Sequence, residues 1–553
     1  MERLETKKIN GHSYYYYSEW GWVKGKCRRK WQKYLGKLKD IVRACEGGGP
    51  APQYAEIFQW GLPTALWKET QAINLISLTD VICPKRDQGL STGQYLAIAA
   101  VNRAIRPNSK RSMWQWFAQT VLLRHLPEAT QAALSSQRFW DHMDRIDDQK
   151  AAQIWKQVIA GVAVQEDLDL SSVSYDGTNF YTFIDTFNVR CQMARRGKNK
   201  QGRCNLRQVS YALFCCADGH LPLFYDVYEG NRNDAKQFPL MLEKFNGVLR
   251  ELNMGHCGIG NTTVIFDKGN NSQDNFALLD SLSLSFVGSV KLEEHKELAQ
   301  IHNNDKRFVS CESDGLDGTK AFRVKKPVYG KERVLVVSYN QNLFDAQWLT
   351  VQADIAKVIE ELSVLSQRLR DRSAGLIKGG VSPTVGSVEK QCEHSLSRQY
   401  MKSVISTTVR LGPGDVPQLE YVVDSAMLNE IAETYLGKNI IITDREAWSN
   451  ARIIEAYRSQ FIIENVFKEM KDRINGNWWP MNHWTDSKIR VHGLYCTLAL
   501  LLRGLMWRRT RAAKINLSMR RLLAELDDIR EVINIYPKKP QQKTLRKQTV
   551  LTK

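Results

Sequence analysis

The sequence predicts a multidomain α+β protein, and three observations carry that prediction. Its 553 residues, 43% hydrophobic and 10% aromatic, supply sizeable cores for about three or four domains. The apolar period switches from helical spacing to strand alternation at Ser171, then returns to a strongly apolar helix after Trp484. Cations are in excess, with a formal net charge of +19, and they cluster at 24–43, 503–521 and 538–553 rather than spreading evenly.

Residues 1–50 read as a basic aromatic β-hairpin. HSYYYYSEWGWVKGKCRRKWQKYLG interleaves tyrosine and tryptophan with cations, among them Arg28, Arg29 and Lys30, about a Gly-containing turn, and EGGGPAP closes it as a linker. That mixture suits stacking on bases and neutralising phosphates; it suits equally a small sheet whose tyrosines simply pack. Residues 51–165 predict a helical DNA-binding domain. GQYLAIAAVNRAI, MWQWFAQTVLLRHL and AAQIWKQVIAGVAV keep three- and four-residue apolar spacing, Pro107, Pro127 and Asp147–Asp148 mark breaks, and Arg103, Arg106, Lys110 and Arg111 are placed to face a duplex.

Residues 166–291 change period. SSVSYDGTNFYTFI, QVSYALFCC and LPLFYDVYEGN are three antiparallel strands, the last two turning at Asp218 and Gly219; AKQFPLMLEKFNGVLREL is a helix, TTVIFDKGNN a short buried strand ending at Asp267, NSQDNFALLDSL a helix and LSFVGSVKL a fifth strand. That order belongs to a ribonuclease-H-like fold, in which the first strand and the end of the fourth lie side by side, so Asp176 and Asp267 converge. Residues 292–437 read as a β-rich insertion domain with one long helix, too long to be a loop. KNIIITD returns the chain to a second part of the core at 438–510, and 511–553 is expected to be a basic C-terminal tail.

Within that second part, YRSQFIIENVFKEMK reads as one amphipathic helix. Tyr457, Gln460, Glu464, Lys468 and Lys471 form a polar stripe, while Ile462, Ile463, Val466, Phe467 and Met470 suit packing on a sheet. The stripe also fits a solvated face with ordinary Glu–Lys pairs. Asp176 and Asp267 stand out because each follows or interrupts an apolar strand-like run, where an unpaired charge is costly. Two aspartates on adjacent strands and a glutamate on the next helix are three hard oxygen donors, the set preferred by Mg²⁺ or Mn²⁺. Two such ions about 4 Å apart serve in-line phosphoryl transfer, and no organic cofactor is needed.

Other classes are poorly supported. Eleven cysteines without a C-x-x-C pair do not form a disulfide framework or zinc knuckle, and ten histidines lack H-E-x-x-H. His483 and His492 come closest to a cluster, with a structural or DNA-contacting role expected. The charge points first to nucleic acid. An anionic membrane would also answer to it, yet the longest apolar run, Leu494–Leu502, stops at Arg503, well short of the roughly 18 residues of a spanning helix. MERLETKKING carries no signal-peptide core, so a cytoplasmic protein is expected.

Three stretches resemble the acidic motifs of DDE transposases from bacterial insertion sequences: YDGTNFYTF around Asp176, VIFDKGNNS around Asp267, and Y-x-x-Q-x-x-x-E-x-x-x-x-x-x-K from Tyr457 to Lys471. The last is similar to the Tyr-Arg-Glu-Lys signature of the IS-four-like superfamily, whose members carry a β-rich insertion between the second Asp and the Glu. Further similarity lies in RRGKNKQGRCNLRQVSYAL, GNRND and PMNHWTDSKIRVHGLYCTLAL, so the likeness spans about Ser171 to Leu502. It implies that Asp176, Asp267 and Glu464 are the catalytic metal ligands, and that Tyr457 and Lys471 contact phosphates near the transposon end. Gln460 stands where the signature has arginine, and Arg458 points about 200° away around an ideal helix. Lys468 shares the stripe, and Arg195, Arg196, Lys198, Lys200 and Arg203 form a loop suited to phosphate contacts or to plain solvation. The resemblance further implies binding of terminal inverted repeats, strand cleavage, joining of the 3′-hydroxyl to target DNA, a homodimer in a synaptic complex and a nucleoid-associated location in a bacterium. Relatives release the second strand through a hairpin stabilised by a flipped base; Trp448, Trp478, Trp479 and Trp484 are available, none assigned. The competing readings are a catalytically inactive DNA-binding descendant and a ribonuclease-H-like nuclease that cuts without joining.

Overall fold

The computed structural model of the chain describes residues 2–23, 26–45, 53–85, 88–198, 202–216, 221–252, 262–313, 315–472, 476–536 and 546–551. The EGGGPAP linker, the turn at Asp218 and Gly219, and Lys200 lie outside them. Its strands are, in chain order, β1 (Glu2–Ile9), β2 (His12–Val23), β3 (Lys26–Gly36), β4 (Tyr54–Gln59), β5 (Ser172–Thr182), β6 (Arg195–Arg196), β7 (Arg207–Cys216), β8 (Pro222–Glu229) and β9 (Thr263–Ile265). Then come β10 (Ser285–Val290), β11 (Val309–Ser310), β12 (Thr319–Val328), β13 (Lys331–Asn340), β14 (Ile405–Leu411), β15 (Pro417–Val423), β16 (Lys438–Thr443), β17 (Arg530–Tyr536) and β18 (Arg546–Leu551). The chain divides into two compact units.

The first unit comprises Met1–Trp67, Trp114–Thr130 and Asn516–Lys553. Its N-terminal part is a three-stranded antiparallel sheet, β1-β2-β3, rather than the two-stranded hairpin expected. The extra strand is ERLETKKI, and its turn is made by Asn10 and Gly11, both at positive φ (48° and 78°). Asn-Gly is the strongest short hairpin signal, because both central residues of the turn must be left-handed. The aromatics mostly pack: Tyr16 and Tyr34 lie 5.1 Å apart, with Lys7 over the Tyr16 ring. Arg29 and Lys30 pair with Glu5 and Glu19, whereas Arg28 is exposed. A second sheet, ordered β18-β17-β4, overturns two expectations. Residues 54–59 are a strand rather than the start of a helical domain, and the C-terminal region is folded rather than a tail. Glu531 of β17, 4% exposed, takes both nitrogens of the Arg124 guanidinium, so charge within REVINIY is paired instead of solvated.

The second unit is built on a ten-stranded sheet in the order β11-β12-β13-β16-β10-β9-β5-β7-β6, with β8 also paired to β7. Strands β5, β9 and β10 run parallel, and β7 and β8 extend the sheet antiparallel, as the alternating runs predicted. The insertion boundary needs correction. FRVKKPV and ERVLVVSYN are β12 and β13, and β13 ladders directly on β16, burying Val334, Val336 and Ile441 in one cluster. What stands between Asn340 and Lys438 is mostly helical. Gln341–Ser373, Val385–Ser395 and Ser425–Tyr435 surround the two-stranded β14-β15 sheet, with a core of its own around Val358, Leu362, Val388, Met401 and Val404.

The basic residues expected to face DNA from the helical region also divide differently. Arg106 and Arg111 are exposed, but Arg103 is 1% and Lys110 7% exposed. Arg103 donates to the carbonyls of Pro480 (2.8 Å), Trp478 (3.3 Å) and Asn477 (3.4 Å), and Lys110 lies 4.2 Å from the Tyr495 ring centre. Helix Asp486–Ala512, the one described helix long and apolar enough to cross a bilayer, has 94% of its apolar stretch buried inside the protein. It packs against β8 at Gly493, where an added Cβ would sit 2.5 Å from Val227 Cγ2.

Candidate active site

Sheet register brings the two aspartates together. Strands β5 and β9 pair in parallel with Ser172 opposite Thr263 and Ser174 opposite Ile265. Two steps further along both chains come Asp176 and Asp267. Asp267 is still extended (φ −84°, ψ 157°), so the two carboxylates leave neighbouring strands, about 4.8 Å apart, on the same face. Both are half-buried. Asp176 Oδ1 accepts the Gly177 N–H at 2.7 Å, and Asp267 opens a short 3₁₀ turn over Lys268–Asn270.

The stretch expected to be one helix is two, Asn450–Arg458 and Phe461–Lys471. The break has a local cause: the Ser459 hydroxyl donates to the Ala456 carbonyl (2.6 Å), and Gln460 N–H reaches back only three residues, to Tyr457 (3.1 Å). Both helices lie over the aspartate face. Lys471 Nζ donates to Thr178 Oγ1, two residues past Asp176, and sits 5.6 Å from the Phe180 ring centre. Tyr457 Oη donates to Ser289 Oγ at 2.8 Å. Burial raises the Tyr457 phenol above its ordinary value, and the charges of Asp267 and Glu464 push the same way, which ties the helix to both carboxylates electrostatically.

Glu464 and Lys468 are exposed on the second helix. Glu464 shares a cleft of about 240 Å³ with Tyr457, Arg458 and Gln460. Gln460, at the junction of the two helices, is only 8% exposed. Arg458 is committed elsewhere, to Gly315 O (2.8 Å) and Thr319 Oγ1 (3.0 Å). A larger groove, along β8 between helices Asp148–Gln165 and Asp234–Leu252, holds none of the three carboxylates.

The donor chemistry fits a hard divalent ion: two in-register aspartates and a glutamate on the covering helix, all carboxylate oxygen. Among the described residues no three His, Cys, Asp or Glu side chains are gathered closely enough to enclose a metal. Asp176 and Asp267 would hold an ion, with Glu464 reaching in from the cleft.

The basic loop is more structured than expected. Arg195 and Arg196 form β6 on the edge of β7, held by Gln192 and by Thr186, and Arg203 lies 4.9 Å from the Tyr181 ring centre. Lys198 is exposed. The loop is rooted where Gln208 Nε2 donates to Gly230 O (2.6 Å), and a Cβ at Gly230 would fall 1.9 Å from Gln208 O. GNRND therefore needs its glycine for close backbone approach.

Other candidates resolve as structural. His483 and His492 are buried against the Tyr495 hydroxyl (3.0 and 2.6 Å), and burial first, then Lys110 and Arg103 for His483 and Arg103 and His483 for His492, pushes both well below the usual histidine value. Trp478 is fully buried and stacks on Phe180 (4.1 Å), Trp479 packs on Tyr181, Trp448 lies under Arg452, and Trp484 is 46% exposed. Cys27, Cys83, Cys191, Cys204, Cys215, Cys216, Cys311, Cys392 and Cys496 are free thiols. Sequence reasoning missed Thr178 and Ser289; Thr178 stands two residues past Asp176 in the same strand, whereas nothing in SFVGSV pointed to Ser289.

The second unit thus combines a sheet face with two aligned aspartates and a helix over it that carries a glutamate and cations. The family description "Transposase DDE domain" matches residues 169–502, more than half of the chain, and the chain belongs to that family. The family is one of metal-dependent DNA-cleaving enzymes. No curated protein matches. Among solved structures the chain is similar to a piggyBac transposase synaptic complex with hairpin DNA, at 10% identity and a TM-score of 0.35 over 84% of this chain and 79% of that one.

Proposed function

We propose that the protein is the DNA transposase of a bacterial insertion sequence of the IS-four-like kind. It binds its element's terminal inverted repeats as a homodimer in a synaptic complex, hydrolyses DNA strands at the element ends and joins the 3′-hydroxyl to target DNA on the nucleoid. One observation carries this reading: Asp176 and Asp267 fall in line on one sheet face, and the helix that covers that face bears Glu464. The order β8-β7-β5-β9-β10, antiparallel then parallel, supports a ribonuclease-H-like core, and the separate core of 341–436 supports an insertion domain.

The chain's own groups divide the work. Asp176, Asp267 and Glu464 concentrate negative charge where the scissile phosphate must approach, and Mg²⁺ or Mn²⁺ bound there would activate the attacking oxygen and stabilise the leaving one. Lys471, fixed by Thr178 beside that row, and Lys468 one turn earlier supply compensating charge to the phosphate backbone. Tyr457 orders the near end of the cleft. Arg195, Arg196 and Lys198, and on the first unit Arg28, Arg29 and Lys30, are the remaining duplex contacts, acting through salt-sensitive phosphate neutralisation.

The test is incubation of purified protein with labelled DNA carrying the inverted repeats that flank its gene, with Mg²⁺ or Mn²⁺, beside Asp267→Ala. Metal-dependent nicks at the repeat ends, absent in the variant, and strand-transfer products with added target DNA are expected. Nicks without joining would leave a nuclease; binding without nicks in either protein would leave an inactive DNA-binding descendant.

A further inference from the structure

The aspartate row does not end at β9. Strand β10 pairs in parallel with β9, Ser285 opposite Thr263 and Val287 opposite Ile265. Two steps further, Ser289 comes into line with Asp267, as Asp267 does with Asp176. Three adjacent parallel strands therefore place Asp176, Asp267 and Ser289 in one row, and side chains at even steps share a face. The face is the one covered by the helix pair, since Tyr457 reaches Ser289 and Lys471 reaches Thr178.

Ser289 is 3% exposed and tied on two sides. Its carbonyl accepts Asn271 Nδ2 at 2.8 Å, from the segment that follows Asp267. Its hydroxyl accepts the Tyr457 phenol proton at 2.8 Å. A hydroxyl that accepts still has its own proton to give. Among the described residues that proton has no acceptor, and the row it belongs to continues into Asp267.

We propose that Ser289 is a positioning residue of the active site: its hydroxyl holds the Tyr457 phenol, and through it the kinked helix pair bearing Glu464, in register with the two aspartates. The inference rests on the active-site reading given above. Tyr457 ends the first helix and Glu464 lies in the first turn of the second. Seven residues, about two helical turns, separate them, so an anchor on Tyr457 limits how far Glu464 swings from the row. Loss of the anchor leaves the DNA-binding cations in place and degrades alignment, which lowers the rate of the bound complex rather than its affinity.

The experiment uses the full-length protein and end DNA with Mg²⁺, measuring the single-turnover nicking rate and DNA affinity separately for wild type, Ser289→Ala, Ser289→Thr, Tyr457→Phe, the Ser289→Ala/Tyr457→Phe double variant and Asp267→Ala. The nicking rate should fall about tenfold in Ser289→Ala, the scale of one lost hydrogen bond, at unchanged DNA affinity. Ser289→Thr, which keeps the hydroxyl and suits a strand, should recover most of the rate. The double variant should be no slower than the worse single one, since both remove the same interaction. A Ser289→Ala rate equal to wild type, a parallel loss of affinity, or additive losses in the double variant would overturn the assignment while leaving the transposase reading intact. Wild-type protein that nicks no end DNA would overturn both.

Discussion

Two groups of cations in the second unit look alike in sequence and meet opposite fates. Arg103, Arg106, Lys110 and Arg111 punctuate one helical run, and Arg195, Arg196, Lys198 and Arg203 one loop; both suggest a surface for DNA. In the first group Arg103 and Lys110 are buried, the guanidinium donating to backbone carbonyls and the ammonium set against the Phe139 and Tyr495 rings. In the second group Arg195 and Arg196 line an exposed sheet edge and Arg203 is exposed beside the Tyr181 ring. Charge in a sequence reports a need for compensation, and a carbonyl cluster can meet part of that need inside the protein, whereas an aromatic wall leaves the ammonium of Lys110 disfavoured.

The contrast is sharpest at Arg103. Arg103→Leu should cost about 3–5 kcal/mol, because a buried guanidinium that ties Asn477, Trp478 and Pro480 to its helix is lost at once, and thermal unfolding with and without DNA should show the same large loss. Arg195→Ala/Arg196→Ala should leave the unfolding midpoint nearly unchanged and weaken DNA binding about equally across sequences. The slope of log affinity against log salt should fall by about one per arginine, as read in a salt titration. An unchanged salt slope would mean that the edge arginines serve the fold, like Arg103.

Lys110 gives a smaller effect of distinctive sign. Burial, then the neighbouring Arg103, pushes its ammonium well below the ordinary 10.5. Between that lowered value and about 10.5 the unfolded chain binds more protons than the folded one, so stability should rise with pH across that window. Lys110→Met should remove this dependence and leave the protein as stable or slightly more so at neutral pH, by urea unfolding across a pH series. The smallest change is expected at Lys30, an exposed partner of Glu19: Lys30→Ala should leave the unfolding midpoint where it is, differential scanning being the check.

Much of the core was legible. The runs around Asp176, Cys215, Phe224, Ile265 and Phe286 became β5, β7, β8, β9 and β10, because alternation and short turns are local signals that a buried sheet only reinforces. Three features were not. The kink at Ser459 depends on one hydroxyl choosing its own helix's carbonyl. β12 and β13 looked like insertion strands because nothing in FRVKKPV names β16 as a ladder partner. The pairing of β17 with β4 joins residues near opposite ends of the chain, a separation over which hydrophobic periodicity carries no information.

Composition, strand period and motif spacing thus marked Asp176, Asp267 and Glu464 and the order of elements that carries them. Only the folded sheet decided that Ser289 shares their row, that Gln460 turns inward and that Arg103 points into the protein. The physical reason is that secondary structure follows from neighbours along the chain, while register, burial and the pairing of charges follow from neighbours in space.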